Sequence, residues 1–232
     1  MPVSSETIFW TRDFSAATQA PQPLVLFADL ADPAIRALTQ APPPPEDFAR
    51  AAAYRDARRD YFLARRMLLR QLIARRLGCA AEAVVIAADE SGAPRLALPF
   101  KNAPEPELFL SIARRGALAA LAIASRPIGV DMEILGPPEE IPTAMLHAAE
   151  AERLVPLGRA ARHRAFLEIW TLKEAYLKAL RTGLSREPAE IEVRREGTQI
   201  RLFDRGLGVA AACQSRCEIF SAETVIAACV ML

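Results

Sequence analysis

The chain has 232 residues, of which 52% are hydrophobic and 25% are charged, a composition that indicates a folded protein with a sizeable core and excludes overall disorder. Its formal net charge of +1 gives no overall field for nucleic acid, although arginines crowd between Arg50 and Arg76. The longest uncharged apolar run, 117–124, is too short to cross a bilayer, and the first residues lack a secretory pattern. We therefore expect a cytoplasmic protein with neither a membrane nor a nucleic acid as its partner.

Short strands and one long helix are predicted in the first half of the chain. Strand-like runs at 6–11 and 23–27 precede four consecutive prolines, 42–45, which end the preceding element because proline lacks an amide donor. From Glu46 to Leu77 the pattern is helical and arginine-rich, and Gly78 fits its C-cap. The alternation of apolar residues and turn signals then predicts strands at 83–88, 95–98, 108–112 and 117–124.

The second half begins with a strand that carries two carboxylates. In IGVDMEI, 128–134, the alternation places Val130 and Met132 on one face and Asp131 and Glu133 on the other. Two helices are predicted next, at about 143–155 and 159–181, the second closed by Gly183. Short strands should follow, at 191–194, 199–203, 207–213, 217–220 and 225–230.

This order of elements predicts an α+β fold with two similar lobes, 1–115 and 116–232. Each lobe would be a small antiparallel-rich sheet packed on a long helix. A cleft between two lobes is a common place for a ligand. We therefore expect the active site in the inter-lobe cleft.

A charged stripe on the second C-terminal helix needs a partner. Trp170, Glu174 and Lys178 share one helical face because residues four apart lie one turn from each other. Glu174, with Asp131 and Glu133, offers only oxygen ligands, a donor set that suits Mg²⁺ or Mn²⁺. The same residues also fit a solvated strand face and an ordinary ion pair between neighbouring helical turns. From these patterns alone the chain is a soluble α+β domain with a candidate Mg²⁺ site.

The two motifs together support a sharper hypothesis. GVDME at 129–133, followed by WTLKEAYLK at 170–178, resembles the paired signature of the 4′-phosphopantetheinyl transferases. The resemblance is to the surfactin-synthetase-activating type, which has two lobes in one chain and acts as a monomer. The family patterns G-[VI]-D-x-E and W-[ST]-x-K-E-[AS]-x-x-K are matched at every fixed position.

The resemblance implies a reaction and roles for the motif residues. The enzyme would transfer the 4′-phosphopantetheine arm of coenzyme A to a serine of an apo acyl or peptidyl carrier protein, releasing adenosine 3′,5′-bisphosphate. Asp131, Glu133 and Glu174 would hold Mg²⁺, with Mn²⁺ as a substitute. Glu174 would also act as the base for the serine, directly or through a metal-bound water. Lys178 would stabilise charge on the phosphates, and Lys173 would support coenzyme A binding.

Further residues are assigned by the same resemblance. Arg59 aligns with an N-terminal arginine that meets the nucleotide phosphates, although a solvated basic helix face fits it equally well. Arg114 replaces a histidine that binds the 3′-phosphate, and a guanidinium suits that role. Glu150 matches a recurrent acidic position whose role could be structural. Ala93 replaces a lysine of the family, and Arg181 replaces a glycine at the end of the long helix.

Two questions stay open at this stage. The alternative function is a degenerate family member that binds coenzyme A or a carrier protein without turnover. The intact motif residues favour the enzyme, and the departures at Ala93 and Arg181 favour the alternative. The sequence does not identify the carrier, which could serve fatty-acid or secondary-metabolite biosynthesis.

Overall fold

The computed structural model describes residues 7–97, 108–182, 185–197, 199–220 and 223–232. The described chain forms two compact units, one spanning Phe9–Ser125 and the other Arg126–Leu232 with residues 7 and 8. This division falls after the strand at 118–124, whereas the boundary expected from the sequence lies before it. The reason is that this strand pairs along its length with strands of the first unit.

The first unit is a six-stranded sheet with helices. The strands follow the order β1-β2-β6-β5-β4-β3, with β1 parallel to β2 and the other neighbours antiparallel. Leu68, Leu69 and Leu72 of the long helix α4 are buried in one apolar cluster with Leu110 and Leu121 of the sheet. The elements are β1 Phe9–Thr11, α1 Phe14–Gln19, β2 Leu24–Asp29, α2 Pro33–Leu38, α3 Pro45–Ala51, α4 Asp56–Leu77, β3 Val85–Ala88, β4 Pro94–Ala97, β5 Phe109–Arg115 and β6 Leu118–Ala124.

The single helix expected from Glu46 to Leu77 is wrong, because the chain turns between α3 and α4. Buried Asp47 of α3 accepts a hydrogen bond from Arg66 Nε at 2.8 Å and pairs with Arg70 at 3.2 Å. In a continuous helix, residues 47 and 66 would lie about 28 Å apart along the axis, at roughly 1.5 Å per residue. The turn therefore allows this buried ion pair to form. The C-cap expected at Gly78 is confirmed, with a left-handed φ of 65°.

The second unit is a five-stranded antiparallel sheet in the order β7-β11-β10-β9-β8, which places β7 at an edge. Leu172, Tyr176 and Leu177 of the long helix α6 pack in one cluster with Val193 and Leu202 of the sheet. The elements are β7 Ile128–Ile134, α5 Ala148–Leu154, α6 Arg159–Leu180, β8 Ile191–Glu196, β9 Gln199–Asp204, β10 Val209–Phe220 and β11 Glu223–Met231.

The α+β class with two sheets and long helices is confirmed. The strands expected separately at 207–213 and 217–220 form one strand, β10, because it pairs continuously with β11 from Cys213 to Phe220. The helix expected from residue 143 begins at Ala148, after a 3₁₀ turn at Thr143–Met145. Gly183, expected to close α6, lies outside the described residues. Among the helices in the described ranges, none is long and apolar enough to span a membrane.

Candidate functional site

Gly129 lets the backbone of α6 approach the backbone of β7. A Cβ at residue 129 would lie 1.8 Å from the carbonyl oxygen of Ala175 and 2.6 Å from the amide nitrogen of Ala179. Real contacts of this kind stay above 3.0 Å, so glycine is the residue that fits. The first residue of the GVDME motif therefore brings strand and helix together.

Asp131 and Lys178 join the two motifs directly. Since alternate residues of a strand share a face, Asp131 points to the same side of β7 as Gly129, toward α6. Lys178 Nζ donates to Asp131 Oδ1 at 2.6 Å and to the carbonyl oxygen of Val130 at 3.2 Å. Asp131 is 2% exposed, and the Lys178 side chain is 30% exposed. The charged head of Lys178 thus lies at a buried carboxylate while its side chain reaches solvent.

Glu174 lies one helical turn before Lys178, on the stripe expected from the sequence. Trp170, one turn earlier, stacks on Phe166 with ring centroids 6.3 Å apart and is partly buried against an apolar cluster. Both Glu133 and Glu174 are half-buried. The carboxylates of the two motifs therefore lie on a strand and a helix that pack together, with solvent access at Glu133 and Glu174.

The carboxylate oxygens of the two motifs suit a metal ion chemically, but their positions do not gather them around one. Asp131, Glu133 and Glu174 supply only carboxylate oxygens, which suit a hard cation. However, within the described ranges no three or more His, Cys, Asp or Glu side chains are gathered closely enough to hold a metal ion. The ammonium of Lys178 lies 2.6 Å from Oδ1 of Asp131. The arrangement does not itself form a three-ligand metal site.

Lys173 is enclosed by the protein, a feature that the motif did not indicate. Its side chain is 0% exposed and its Nζ lies 2.5 Å from Glu150 Oε2, which is also fully buried. The same Nζ donates to the carbonyl oxygens of Met145 and Pro188, each at 3.0 Å. Burial lowers the pKa of Lys173, and the charge of Glu150 opposes this shift. The predicted contact of Lys173 with coenzyme A would compete with all three partners.

Glu150 completes this buried cluster. Its Oε1 accepts from the amide of Val193 at 2.7 Å, and its Oε2 accepts from the amide of His147 at 2.8 Å, closing a capping box at the start of α5. The ion pair thereby ties α5, α6 and β8 together next to Glu174. The sequence had indicated Glu150 only as a recurrent acidic position, and its partner 23 residues later could not be read from any local period.

Arg59 and Arg114 belong to the first unit. Arg59 lies on α4 with its Cζ 4.7 Å from the ring centroid of Phe48. Arg114 lies near the end of β5 and is half-buried. Their contacts with coenzyme A stay predictions.

The end of α6 shows the consequence of one departure from the family pattern. Arg181 is the C-cap of α6 and adopts φ 59°, ψ 23°, the left-handed conformation that glycine favours. An arginine is tolerated there at a cost of about 1 kcal/mol. Hence the helix ends at the position where the family has glycine, even though glycine is absent.

Comparisons with known proteins agree with the motifs. Residues 127–229 match the model of the 4′-phosphopantetheinyl transferase superfamily. A Synechocystis sp. protein named "Putative 4'-phosphopantetheinyl transferase slr0495" is 31% identical over 145 residues, covering 60% of this chain and 57% of that protein. The 4′-phosphopantetheinyl transferase HetI of Nostoc sp. is 31% identical over 153 residues, covering 64% of this chain and 63% of HetI. The matches thus span less than two thirds of either relative, and they agree with the family that the motifs resemble.

Proposed function

We infer that this protein, whose residues 127–229 carry the domain of the 4′-phosphopantetheinyl transferase superfamily, is itself a 4′-phosphopantetheinyl transferase. It would move the phosphopantetheine arm of coenzyme A to a serine of an apo carrier protein and release adenosine 3′,5′-bisphosphate. The observation that carries this proposal is the 2.6 Å contact between Asp131 and Lys178, because it unites both family motifs in one site. Cytoplasmic location and a monomeric state are parts of the same proposal.

The charged groups suggest how the chain would promote the transfer. A serine hydroxyl is a weak nucleophile, so its attack on a phosphorus atom needs a base, and half-buried Glu174 is our assignment. Negative charge develops on the diphosphate as the bond to the leaving group breaks. Lys178, which pairs with Asp131, would stabilise that charge.

We assign Asp131, Glu133 and Glu174 to a Mg²⁺ ion because their oxygen donors suit it, with Mn²⁺ as a substitute. Such an ion would neutralise charge on the diphosphate of coenzyme A. Binding it would require rearrangement, because the described carboxylates are not gathered as three ligands and Lys178 now pairs with Asp131. For Lys173, burial and three protein partners favour a supporting role beneath Glu174 over direct contact with coenzyme A.

The test is intact-mass analysis of apo carrier proteins after incubation with the full chain, coenzyme A and Mg²⁺. We expect a gain of one phosphopantetheine, and a Glu174→Gln variant should slow the transfer about 10²- to 10⁴-fold, the usual contribution of a general base. Glu168→Gln is the matched control on the same helix. Its surface ion pairs with Arg164 and Arg195 contribute little, so its rate should equal that of the parent.

The second candidate function is a degenerate member of the family. Arg181, strained where the family has glycine, is the observation that favours it. If neither acyl nor peptidyl carriers gain mass while calorimetry shows that the chain binds coenzyme A, the chain is a binding protein and not a transferase.

A further inference from the structure

Asp204 is a buried carboxylate at the end of β9, and three parts of the chain donate hydrogen bonds to it. It is 2% exposed. Tyr176 of α6 donates from Oη to Oδ2 at 3.1 Å, and the amide of Leu207, in the turn after β9, donates to Oδ1 at 3.1 Å. Arg186, from the segment that follows α6, donates from Nε to Oδ2 at 2.7 Å and from Nη2 to Oδ1. One carboxylate therefore joins the long helix, the strand end and the segment after the helix.

The turn after β9 leaves space for this network. A Cβ at residue 206 would overlap the guanidinium of Arg186, whose Cζ would lie only 3.1 Å from it. Glycine at this position therefore lets the guanidinium reach Asp204. The side chain of Arg186 is 18% exposed and that of Asp204 is 0% exposed, so the buried negative charge has a cationic partner, as a buried charge requires.

Tyr176 lies between Glu174 and Lys178 along the chain but on the opposite face of α6. Two residues correspond to a rotation of about 200° around a helix, so Glu174 and Lys178 project away from the side that carries Tyr176. The ring of Tyr176 is 0% exposed and belongs to the apolar cluster between α6 and its sheet. The hydrogen bond to Asp204 thus acts on the face of α6 that is opposite to the charged stripe.

This hydrogen bond can define the rotation of α6 about its own axis. The hydrophobic contacts of the helix are not directional, whereas a hydrogen bond needs its donor at a set distance and angle. Side chains end about 5–6 Å from a helix axis, so a rotation of about 10° moves them by about 1 Å. A shift of that size would disturb the 2.6 Å contact of Lys178 with Asp131.

The protonation states keep the donors and the acceptor fixed. Burial, followed by the charge of Asp204 and the hydrogen bond to it, raises the pKa of Tyr176 above its usual value. Burial acts to raise the pKa of Asp204 too, but hydrogen bonds from Arg186, the Leu207 amide and Tyr176 outweigh it and lower that pKa. At neutral pH the phenol therefore remains a donor and the carboxylate an acceptor.

We propose that Tyr176, Asp204 and Arg186 are positioning residues, which fix the rotation of α6 so that Lys178 meets Asp131 and Glu174 lies one turn before it. They act through the helix and not on the substrates. Their effect on the transfer rests on the proposed function, whereas their effect on the contact of Lys178 does not. The family pattern leaves position 176 open and does not include positions 186 and 204.

The kinetic test is Tyr176→Phe, which removes one hydroxyl and keeps the ring in the core. In carrier modification followed by intact mass, kcat should fall at least about tenfold, because small misplacements of reacting groups are costly. KM for coenzyme A and for the carrier should stay the same, since the proposed roles of Glu174 and Lys178 concern the transition state. The matched control is Tyr61→Phe, which removes the same hydroxyl from a half-buried tyrosine of α4 and should match the parent.

The rates are compared at a temperature at which far-ultraviolet circular dichroism shows every variant to be folded. A purely structural hydrogen bond would change the fraction of folded molecules but not the kcat of those that are folded. An unchanged kcat in folded Tyr176→Phe, with an active parent, would therefore overturn the proposal.

A double-mutant cycle tests the orientation of Lys178 without any transfer. Urea midpoints are measured for the parent, Tyr176→Phe, Lys178→Met and the double variant. Tyr176 and Lys178 bond to different carboxylates, Asp204 and Asp131, so independent effects would add. We expect Lys178→Met to lower the midpoint less in the Tyr176→Phe background than in the parent, because the contact with Asp131 is already disturbed there.

Additive shifts of the midpoint would overturn the proposal and leave the network a structural one. If Tyr176→Phe does not fold, Arg186→Lys takes its place in both measurements, because lysine keeps the positive charge beside Asp204 but not the paired donors of the guanidinium. If the parent modifies no carrier, the proposed function fails by itself, and the cycle alone decides whether the network orients Lys178.

Discussion

Replacing Gly129 by alanine is expected to separate α6 from β7. The added Cβ would lie 1.8 Å from the carbonyl oxygen of Ala175, whereas contacts of this kind stay above 3.0 Å. The helix must therefore move by about 1.2 Å or the strand must bend, since all three atoms in conflict with the Cβ belong to the backbone of α6. No side-chain rotation can relieve this overlap.

The magnitude follows from the nature of the conflict. Overpacking in a core costs about 1–3 kcal/mol where side chains can adjust, so a backbone conflict should cost at least about 3 kcal/mol of unfolding free energy. Relative to a typical total of roughly 5–15 kcal/mol, this is a large loss. The same shift would alter the 2.6 Å contact of Lys178 with Asp131. A misplacement of about 1 Å can lower a catalytic rate about 100-fold.

Urea unfolding of the full chain gives the stability, and carrier modification by intact mass gives the rate. The matched control is Gly136→Ala, because a Cβ at residue 136 meets nothing within 4 Å. Its unfolding free energy should stay within about 1 kcal/mol of the parent, with a small gain possible from a less flexible unfolded chain. If Gly129→Ala also remains within about 0.5 kcal/mol of the parent, the close approach of β7 and α6 is not what positions the site.

Two further predictions concern buried charges of the second unit. Lys173→Met and Glu150→Gln should each lower the unfolding free energy by about 3 kcal/mol or more, since each leaves a buried partner uncompensated. In a double-mutant cycle, the loss of unfolding free energy in the double variant should be at least about 1 kcal/mol smaller than the sum of the losses in the two single variants. A loss equal to that sum would mean that Lys173 and Glu150 are not energetically coupled. Burial by itself would raise the pKa of Asp204, but hydrogen bonds from Arg186, the Leu207 amide and Tyr176 outweigh it and lower that pKa. The folded state therefore binds this proton more weakly than the unfolded state, so the stabilisation is present above about pH 4 and is lost as the pH falls through the lowered pKa. Urea midpoints measured between pH 2 and 7 should accordingly fall less steeply at acid pH in Asp204→Asn than in the parent. An equally steep fall in the variant would contradict the assignment.

Local patterns of the sequence were sufficient for the elements that carry the motifs. The alternation in IGVDMEI predicted β7 with the bounds that it has, Ile128–Ile134. The charged stripe of Trp170, Glu174 and Lys178 predicted a helix that ends close to Arg181. Such patterns are reliable because the periods of strand and helix are set by backbone geometry within a few residues.

Local patterns failed where distant residues decide the structure. The sequence of the turn between α3 and α4 contains no proline or glycine that would end a helix. The turn is stabilised by the contact of Asp47 with Arg66 and Arg70, about twenty residues away. Likewise, our prediction divided β10 into two short strands, 207–213 and 217–220. Continuous pairing with β11 from Cys213 to Phe220 makes it one strand.

The sequence by itself indicated the resemblance to a family, the α+β class and the residues of the two motifs. Only the tertiary structure decided what the cations face: Lys178 meets Asp131, Lys173 is enclosed with Glu150, and Arg65 is buried without an acidic partner among the described residues. These outcomes depend on which elements pack against each other. The energy of a charge depends on its burial and its partners, and both are properties of the folded chain that no local period contains.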